Sequence, residues 1–206
     1  MTAPAGDTFL SAQPAQKTTL RSDLRRLRQL IPRAERARAA RLTARHLLRW
    51  RRVRRAHAVA VYLPMRNELD TTALIDGLAR AGTRLYAPRV ARSGRMYFLP
   101  LVKRQRTRRD ALGMQAPQAT RPRRPARRLD LVIMPLLGFD ACGNRIGMGA
   151  GYYDRSFGFR RIGARPWLIG YAYPQQQTGW ILAEPWDVKL DAVALSTGVR
   201  RLNRGT

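Results

Sequence analysis

Leu129–Phe157 reads L-D-L-V-I-M-P-L-L-G-F-D-A-C-G-N-R-I-G-M-G-A-G-Y-Y-D-R-S-F, and its three parts carry the fold. Leu129–Leu137 is the most hydrophobic stretch of the chain. An apolar run of this kind is the pattern of a strand buried on both faces of a parallel sheet. Gly147, Gly149 and Gly151 then alternate over five residues. A helix is predicted to follow over Tyr152–Phe159. In open α/β sheets ligands gather beyond the carboxyl ends of strands, which is where this loop falls. Glycines let backbone N–H groups come close to an anion and line a concave nest. The free N–H groups of a helix opening at Tyr152 would point at the same anion. Arg145 and Arg155 add positive charge at either end. Asp154 supplies a carboxylate that a hard cation would bridge to phosphates. No Gly-Lys-Ser/Thr follows, and the glycine spacing is not that of the dinucleotide fingerprint. Taken alone, the spacing fits a plain strand-to-helix turn equally well.

The pattern continues on both sides. In Thr19–Leu30, the residues Leu20, Leu24, Leu27 and Leu30 fall at helical spacing among Arg. Pro32 marks a break, and Ala34–Trp50 reads as a second helix. Ala56–Leu63 (A-H-A-V-A-V-Y-L) reads as a buried strand. Asp70 or Thr71 caps a helix running through Ala81, closed by Gly82. Thr83–Ala87 and Arg95–Leu101 are predicted strands around the turn Ser93-Gly94. Pro166–Tyr173 is another strand, and Leu190–Leu195 the last. Strands alternating with helices predict a three-layer α/β fold: a Rossmann-like, open, mostly parallel sheet flanked by helices. One domain is expected over residues 18–200. Residues 1–17, rich in Ala, Pro, Thr and Gln, read as a flexible tail. Residues 103–128, rich in Arg and Pro, read as a long basic surface connection.

Composition sets outer bounds. Hydrophobic residues make up 45% of the 206, enough for a core. No apolar run reaches the ~18 residues of a membrane helix, so no membrane partner is expected. The start lacks the basic-then-apolar pattern of a secretory signal. The single cysteine, Cys142, excludes an internal disulfide and a multi-cysteine zinc site. A reducing cytoplasm is the expected compartment. The formal net charge is +27, with three Lys among forty basic residues. Such a field draws in anions. The Arg are scattered along nearly the whole chain without a nucleic-acid reader motif, which favours solvated faces over a nucleic-acid partner. His46 and His57 have no motif around them, and Cys142 has no positioned base.

Gly138–Arg155, as G-F-D-x-x-G-x-R-I-G-x-G-x-G-Y-Y-D-R, closely resembles the signature of the 5-formyltetrahydrofolate cyclo-ligase family. Three segments agree in order and spacing: Arg21–Arg25 (R-S-D-L-R), Tyr62–Thr71 (Y-L-P-M-R-N-E-L-D-T) and Leu190–Val193 (L-D-A-V). The resemblance runs from Thr18 to Ser196. It implies ATP-dependent, magnesium-dependent closure of 5-formyltetrahydrofolate, with or without a polyglutamate tail, to 5,10-methenyltetrahydrofolate. A monomer is expected, although nothing in the sequence fixes the oligomeric state. The resemblance assigns ATP to Arg21, Arg25, Arg145, Ile146, Gly147, Met148, Gly149, Ala150, Gly151, Tyr152 and Tyr153. It assigns folate to Leu63, Glu68, Met148, Gly149, Ala150, Gly151 and Tyr152. Magnesium falls to Asp154 and Asp191, and the reacting groups to Arg145, Tyr152 and Asp154. The chain departs from the family at Arg21, where Lys is usual, and at Ala150, where Gly or Lys is common. Without the resemblance, Glu68 reads as a solvent-facing residue before a helix cap. Asp191 reads as a strand-end cap or an Arg partner.

Overall fold

A computed structural model describes residues 8–102, 106–111, 113–118, 123–161 and 164–202. Two long helices, α1 (Thr8–Leu30) and α2 (Arg33–Arg49), precede the short α3 (Arg51–Arg54). Strand β1 (Ala58–Val61), helix α4 (Thr72–Arg80), and strands β2 (Arg84–Val90) and β3 (Met96–Pro100) follow. A hairpin, β4 (Thr107–Arg109) and β5 (Gln115–Pro117), leads to β6 (Leu131–Met134). A second hairpin, β7 (Gly138–Phe139) and β8 (Arg145–Ile146), leads to α5 (Tyr152–Phe157). The chain closes with β9 (Trp167–Tyr171), β10 (Ala192–Leu195) and β11 (Gly198–Arg201).

The seven-stranded sheet runs β11-β10-β9-β6-β1-β2-β3. Its five inner strands are parallel, and β3 and β11 join antiparallel at the edges. The expected open, mostly parallel α/β sheet is therefore what forms. The strands β1, β6, β9 and β10 are buried at every residue, as central parallel strands must be. Alternate residues feed two cores. Val59, Val61, Leu131, Ile133 and Ile169 pack against Ala44 and Leu47 of α2 and Leu74 and Leu78 of α4. Ala60, Val132, Met134 and Leu168 share the other core with Phe98, Phe139 and Phe157. That second face is covered by the short α5 and by loops, so the two outer layers are unequal. Among the described residues, no helix is long and apolar enough to cross a membrane.

Three expectations change. Helix α1 begins at Thr8 within the expected tail, and its Lys17 pairs with Glu184 at 3.4 Å and Asp187 at 3.0 Å. Leu190–Leu195 is not the last strand, because β11 adds a charged edge, a device that blunts further pairing. The described part of the 103–128 connection is not bare loop. It carries the β4–β5 hairpin, whose Ala116 is buried, and Arg124 bridges Phe98 of β3.

Candidate active site

From β1 the sheet grows outward to β2 on one side, and from β6 to β9 and β10 on the other. Loops leaving the carboxyl ends of β1 and β6 therefore part and leave a crevice. A cleft of about 1270 Å³ lies there. That exceeds the ~300–1,000 Å³ of a pocket for one small molecule. Met65 and Glu68, which follow β1, and Pro135 and Leu136, which follow β6, line it.

The glycine-rich loop forms one wall. Its base is pinned by buried Asp140, which accepts the backbone N–H of Cys142, Asn144 and Ile181 and the side-chain amide of Asn144, at 2.8–3.0 Å. Gly149 (φ 101°) and Gly151 (φ 64°) hold left-handed backbone that glycine adopts at little cost. Among the described residues, nothing accepts a hydrogen bond from the backbone N–H groups of Gly147, Met148, Gly149, Ala150 or Gly151. Unpaired N–H groups lining a cleft are free to donate to an anion that enters it. Helix α5 has six residues, so the charge at its amino end is small, and the loop's own amides supply most of the donors.

Guanidinium groups surround the loop. Arg145 Nη2 donates to Asp154 Oδ1 at 2.7 Å, while its Nε is buried without a partner. Arg21 reaches across from α1. Its Nε is also buried and unpaired, and a Cβ added to Gly149 would lie 3.6 Å from it. Arg155 flanks Gly151 and lies 4.9 Å from the Tyr152 ring centre. Asp154 Oδ1 also accepts the Val188 N–H at 3.0 Å, which ties the segment 183–189 to α5.

Glu68 faces into the cleft, with its side chain 7% exposed. A tight turn puts it there: the Glu68 N–H donates to Met65 O at 3.0 Å, and the Met65 N–H donates to Glu68 Oε2 at 2.8 Å. Asn67 takes the left-handed φ that Asn tolerates. The reading of Glu68 as solvent-facing is thus corrected by a turn that folds it inward. Burial pushes its carboxyl above the usual range, against the Met65 N–H and then Arg28, which pull it down. The Tyr153 hydroxyl is pushed up by burial and then by Glu68, opposed by Arg145. The Tyr153 ring stacks on Phe157 at 6.4 Å, so Tyr153 is the tyrosine of the pair that joins the core.

Arg21, Glu68, Arg145 and the run from Ile146 to Asp154 all line the cleft. Arg25, Leu63 and Asp191 do not. Arg25 is exposed because it follows Leu24 by one residue, about 100° round the helix. Leu24 packs with Leu137, Ile146 and Ile181. Arg21 and Arg28, on either side of Leu24, take the cleft side instead. Leu63 is half-buried outside the lining. Asp191 Oδ2 accepts the Leu168 N–H at 2.8 Å and Arg160 Nη1 at 2.9 Å. Asp191 thus serves as strand-end cap and as partner of Arg160, which itself lines the cleft. Among the described residues, no three His, Cys, Asp or Glu side chains cluster as a metal centre. Both carboxylates expected to hold magnesium are engaged by the protein: Asp154 by Arg145 and the Val188 N–H, Asp191 by Arg160 and the Leu168 N–H. Sequence reasoning missed Arg28, Lys17 and the rim residue Trp186, which is 68% exposed. Arg28 was findable as the residue two turns after Arg21. Trp186 reaches the rim through tertiary contacts and had no local signal.

The fold and this loop define an α/β enzyme with an amide- and guanidinium-lined anion cleft. The chain belongs to the 5-formyltetrahydrofolate cyclo-ligase family, whose model matches residues 13–196, and it is a ligase of that family. It is 37% identical over 148 residues to a 5-formyltetrahydrofolate cyclo-ligase of Escherichia coli (strain K12), covering 70% of this chain and 80% of that one. With the Haemophilus influenzae cyclo-ligase it shares 28% over 179 residues, covering 85% and 95%. The solved 5,10-methenyltetrahydrofolate synthetase of Aquifex aeolicus superposes with a TM-score of 0.79 at 25% identity, covering 92% of this chain and 94% of that one.

Proposed function

We propose that the protein closes 5-formyltetrahydrofolate to 5,10-methenyltetrahydrofolate at the expense of ATP. The observation that carries this reading is the run of unbonded N–H groups from Gly147 to Gly151, flanked by the unpaired Nε groups of Arg21 and Arg145. Such a set of fixed donors suits a polyphosphate, since phosphoryl transfer needs positioning and charge neutralisation more than a protein nucleophile. The cleft's size allows a nucleotide and a folate to lie side by side.

The formyl oxygen attacks the γ-phosphorus, a new O–P bond forms, the bridging P–O bond to the β-phosphate breaks, and ADP leaves. N10 then attacks the activated formyl carbon and gives up its proton. Phosphate departs with the former formyl oxygen. Arg145, oriented by Asp154, and the loop amides meet the charge that develops on the transferred group. Glu68 accepts N–H groups of the pterin, as a carboxylate pairs with a heterocycle edge. Tyr152 and Met148 border the space between the two ligands. A magnesium ion arriving with ATP would neutralise phosphate charge. From this chain it would have Asp154, with phosphate and water completing its shell.

The test is to incubate the purified chain with 5-formyltetrahydrofolate, ATP and magnesium and follow the methenyl absorbance. Product that appears only with ATP supports the reading, and none in any condition ends it.

A further inference from the structure

We propose that Arg28 is a specificity-determining residue of the folate site, donating to the carbonyl oxygen at C4 of the pterin while Glu68 accepts the neighbouring N–H groups. The inference rests on the function proposed above and adds a residue to it. Arg28 stands two helical turns after Arg21, on the same face of α1. It is 5% exposed and lines the cleft. Its Nε is buried without a partner, and its Nη1 stops 3.8 Å from Glu68 Oε1. That gap balances charge but exceeds the 2.7–3.2 Å of a hydrogen bond. A buried guanidinium with unused donors is costly unless something accepts from it. Nothing within the described protein does so at Nε.

The pair therefore presents an acceptor and a donor side by side to one cavity. Glu68 has Oε2 engaged by the Met65 N–H and Oε1 open toward Arg28. The pterin's pyrimidine edge runs 2-amino, N3–H, C4=O, which is two donors and then an acceptor. Two N–H groups on Glu68 and the carbonyl on Arg28 would complete both side chains together. This is the logic by which a carboxylate takes an amino group of a base and Arg takes a carbonyl oxygen. A 4-amino ring turns that last acceptor into a donor, which sets N–H against guanidinium, and it also removes the N3 hydrogen that Glu68 would accept. Loss of a partner for a buried charged donor is a strong basis for discrimination.

The experiment compares binding of 5-formyltetrahydrofolate and its 4-amino counterpart to the full chain by calorimetric titration, with ATP binding as a control for folding. The parent should prefer the 4-oxo ligand by roughly tenfold to a hundredfold. Arg28→Leu should cut the ratio several-fold, mainly by weakening the 4-oxo ligand, leaving the part that Glu68 reads at N3–H, with ATP affinity within about twofold. Arg28→Lys keeps the charge beside Glu68 and decides the matter if the Leu variant does not fold. It should lose part of the ratio, because a point charge replaces a directed fork. Equal weakening of both ligands, with the ratio kept, would make Arg28 structural and overturn the inference. A parent that turns over 5-formyltetrahydrofolate but shows no 4-oxo preference sinks the inference and leaves the proposed function standing. A parent that binds neither ligand overturns both.

Discussion

Asp130 and Asp191 stand at the amino ends of the parallel strands, and both are engaged by the protein itself. Asp130 accepts the backbone N–H of His57 and Ala58 at 2.9 Å and the Arg165 guanidinium at 2.8 Å. Asp191 does the same for the Leu168 N–H and Arg160. At the carboxyl ends, among the described residues, Arg21, Arg28 and Arg145 each keep a buried Nε without a partner and five consecutive amides have no acceptor, whereas at the amino ends one such group, the Nε of Arg160, is left over beside Asp191. Folded proteins rarely leave buried donors unpaired, so the guanidinium groups want an explanation, while the exposed amides of Met148, Gly149 and Ala150 are open to water or a ligand. One sheet thus has two polar ends solved in opposite ways. The amino end spends its carboxylates on strand starts. The carboxyl end pools donors for something that is not protein.

The largest effect expected from this contrast is on stability. Asp191→Ala removes the partner of a buried Arg160, whose side chain is 2% exposed, and should cost about 3–5 kcal/mol in urea unfolding. A variant as stable as the parent, with altered magnesium dependence, would break the contrast. Asp154→Asn should act at the other end: turnover falls about a hundredfold or more while unfolding is little changed. Near-normal turnover would remove Asp154 from orienting Arg145. Next, the two arginines of α1 should part company. Arg21→Leu should weaken nucleotide binding about tenfold or more, whereas Arg25→Leu, on the exposed side, should stay within about twofold. Nucleotide titration of both variants reads this directly.

The smallest expected effect concerns pH. Burial raises the folded Glu68 pKa, with Tyr62 and Tyr153 nearby and Arg28 opposing. The folded chain therefore holds this proton to higher pH than the unfolded chain does. Between the ordinary and the raised value, stability falls as pH rises, because the unfolded state ionises first. Glu68→Gln should flatten that slope in a pH series of unfolding curves. Folate affinity should move the other way over the same window, rising with pH as Glu68 becomes an acceptor only. An affinity that falls with pH there would contradict the acceptor role.

Much of this was legible along the chain, and the parts that were not have a common cause. The strands β1, β6, β9 and β10 announce themselves because both faces are buried, so every residue must be apolar. The glycine loop is legible because left-handed backbone is a local demand. The hairpin β4–β5 and the edge strand β11 escaped because edge segments rich in Arg carry no apolar alternation. Read without the resemblance, Glu68 looked solvent-facing because its inward turn depends on Asn67 and on a Met65 N–H that only the folded turn brings round.

The order of apolar and glycine residues was enough to specify a parallel sheet and a glycine-rich loop at its carboxyl end, while the family was legible only through the resemblance of the whole string from Gly138 to Arg155. Sheet and loop are encoded by burial and backbone conformation, which act over a few neighbouring residues. Which arginines enter the cleft, and which carboxylate closes a strand rather than facing a ligand, depended on where Leu24 packs and where Arg160 reaches. A helix dense in Arg offers many equivalent charges, and packing alone decides which of them are taken out of water.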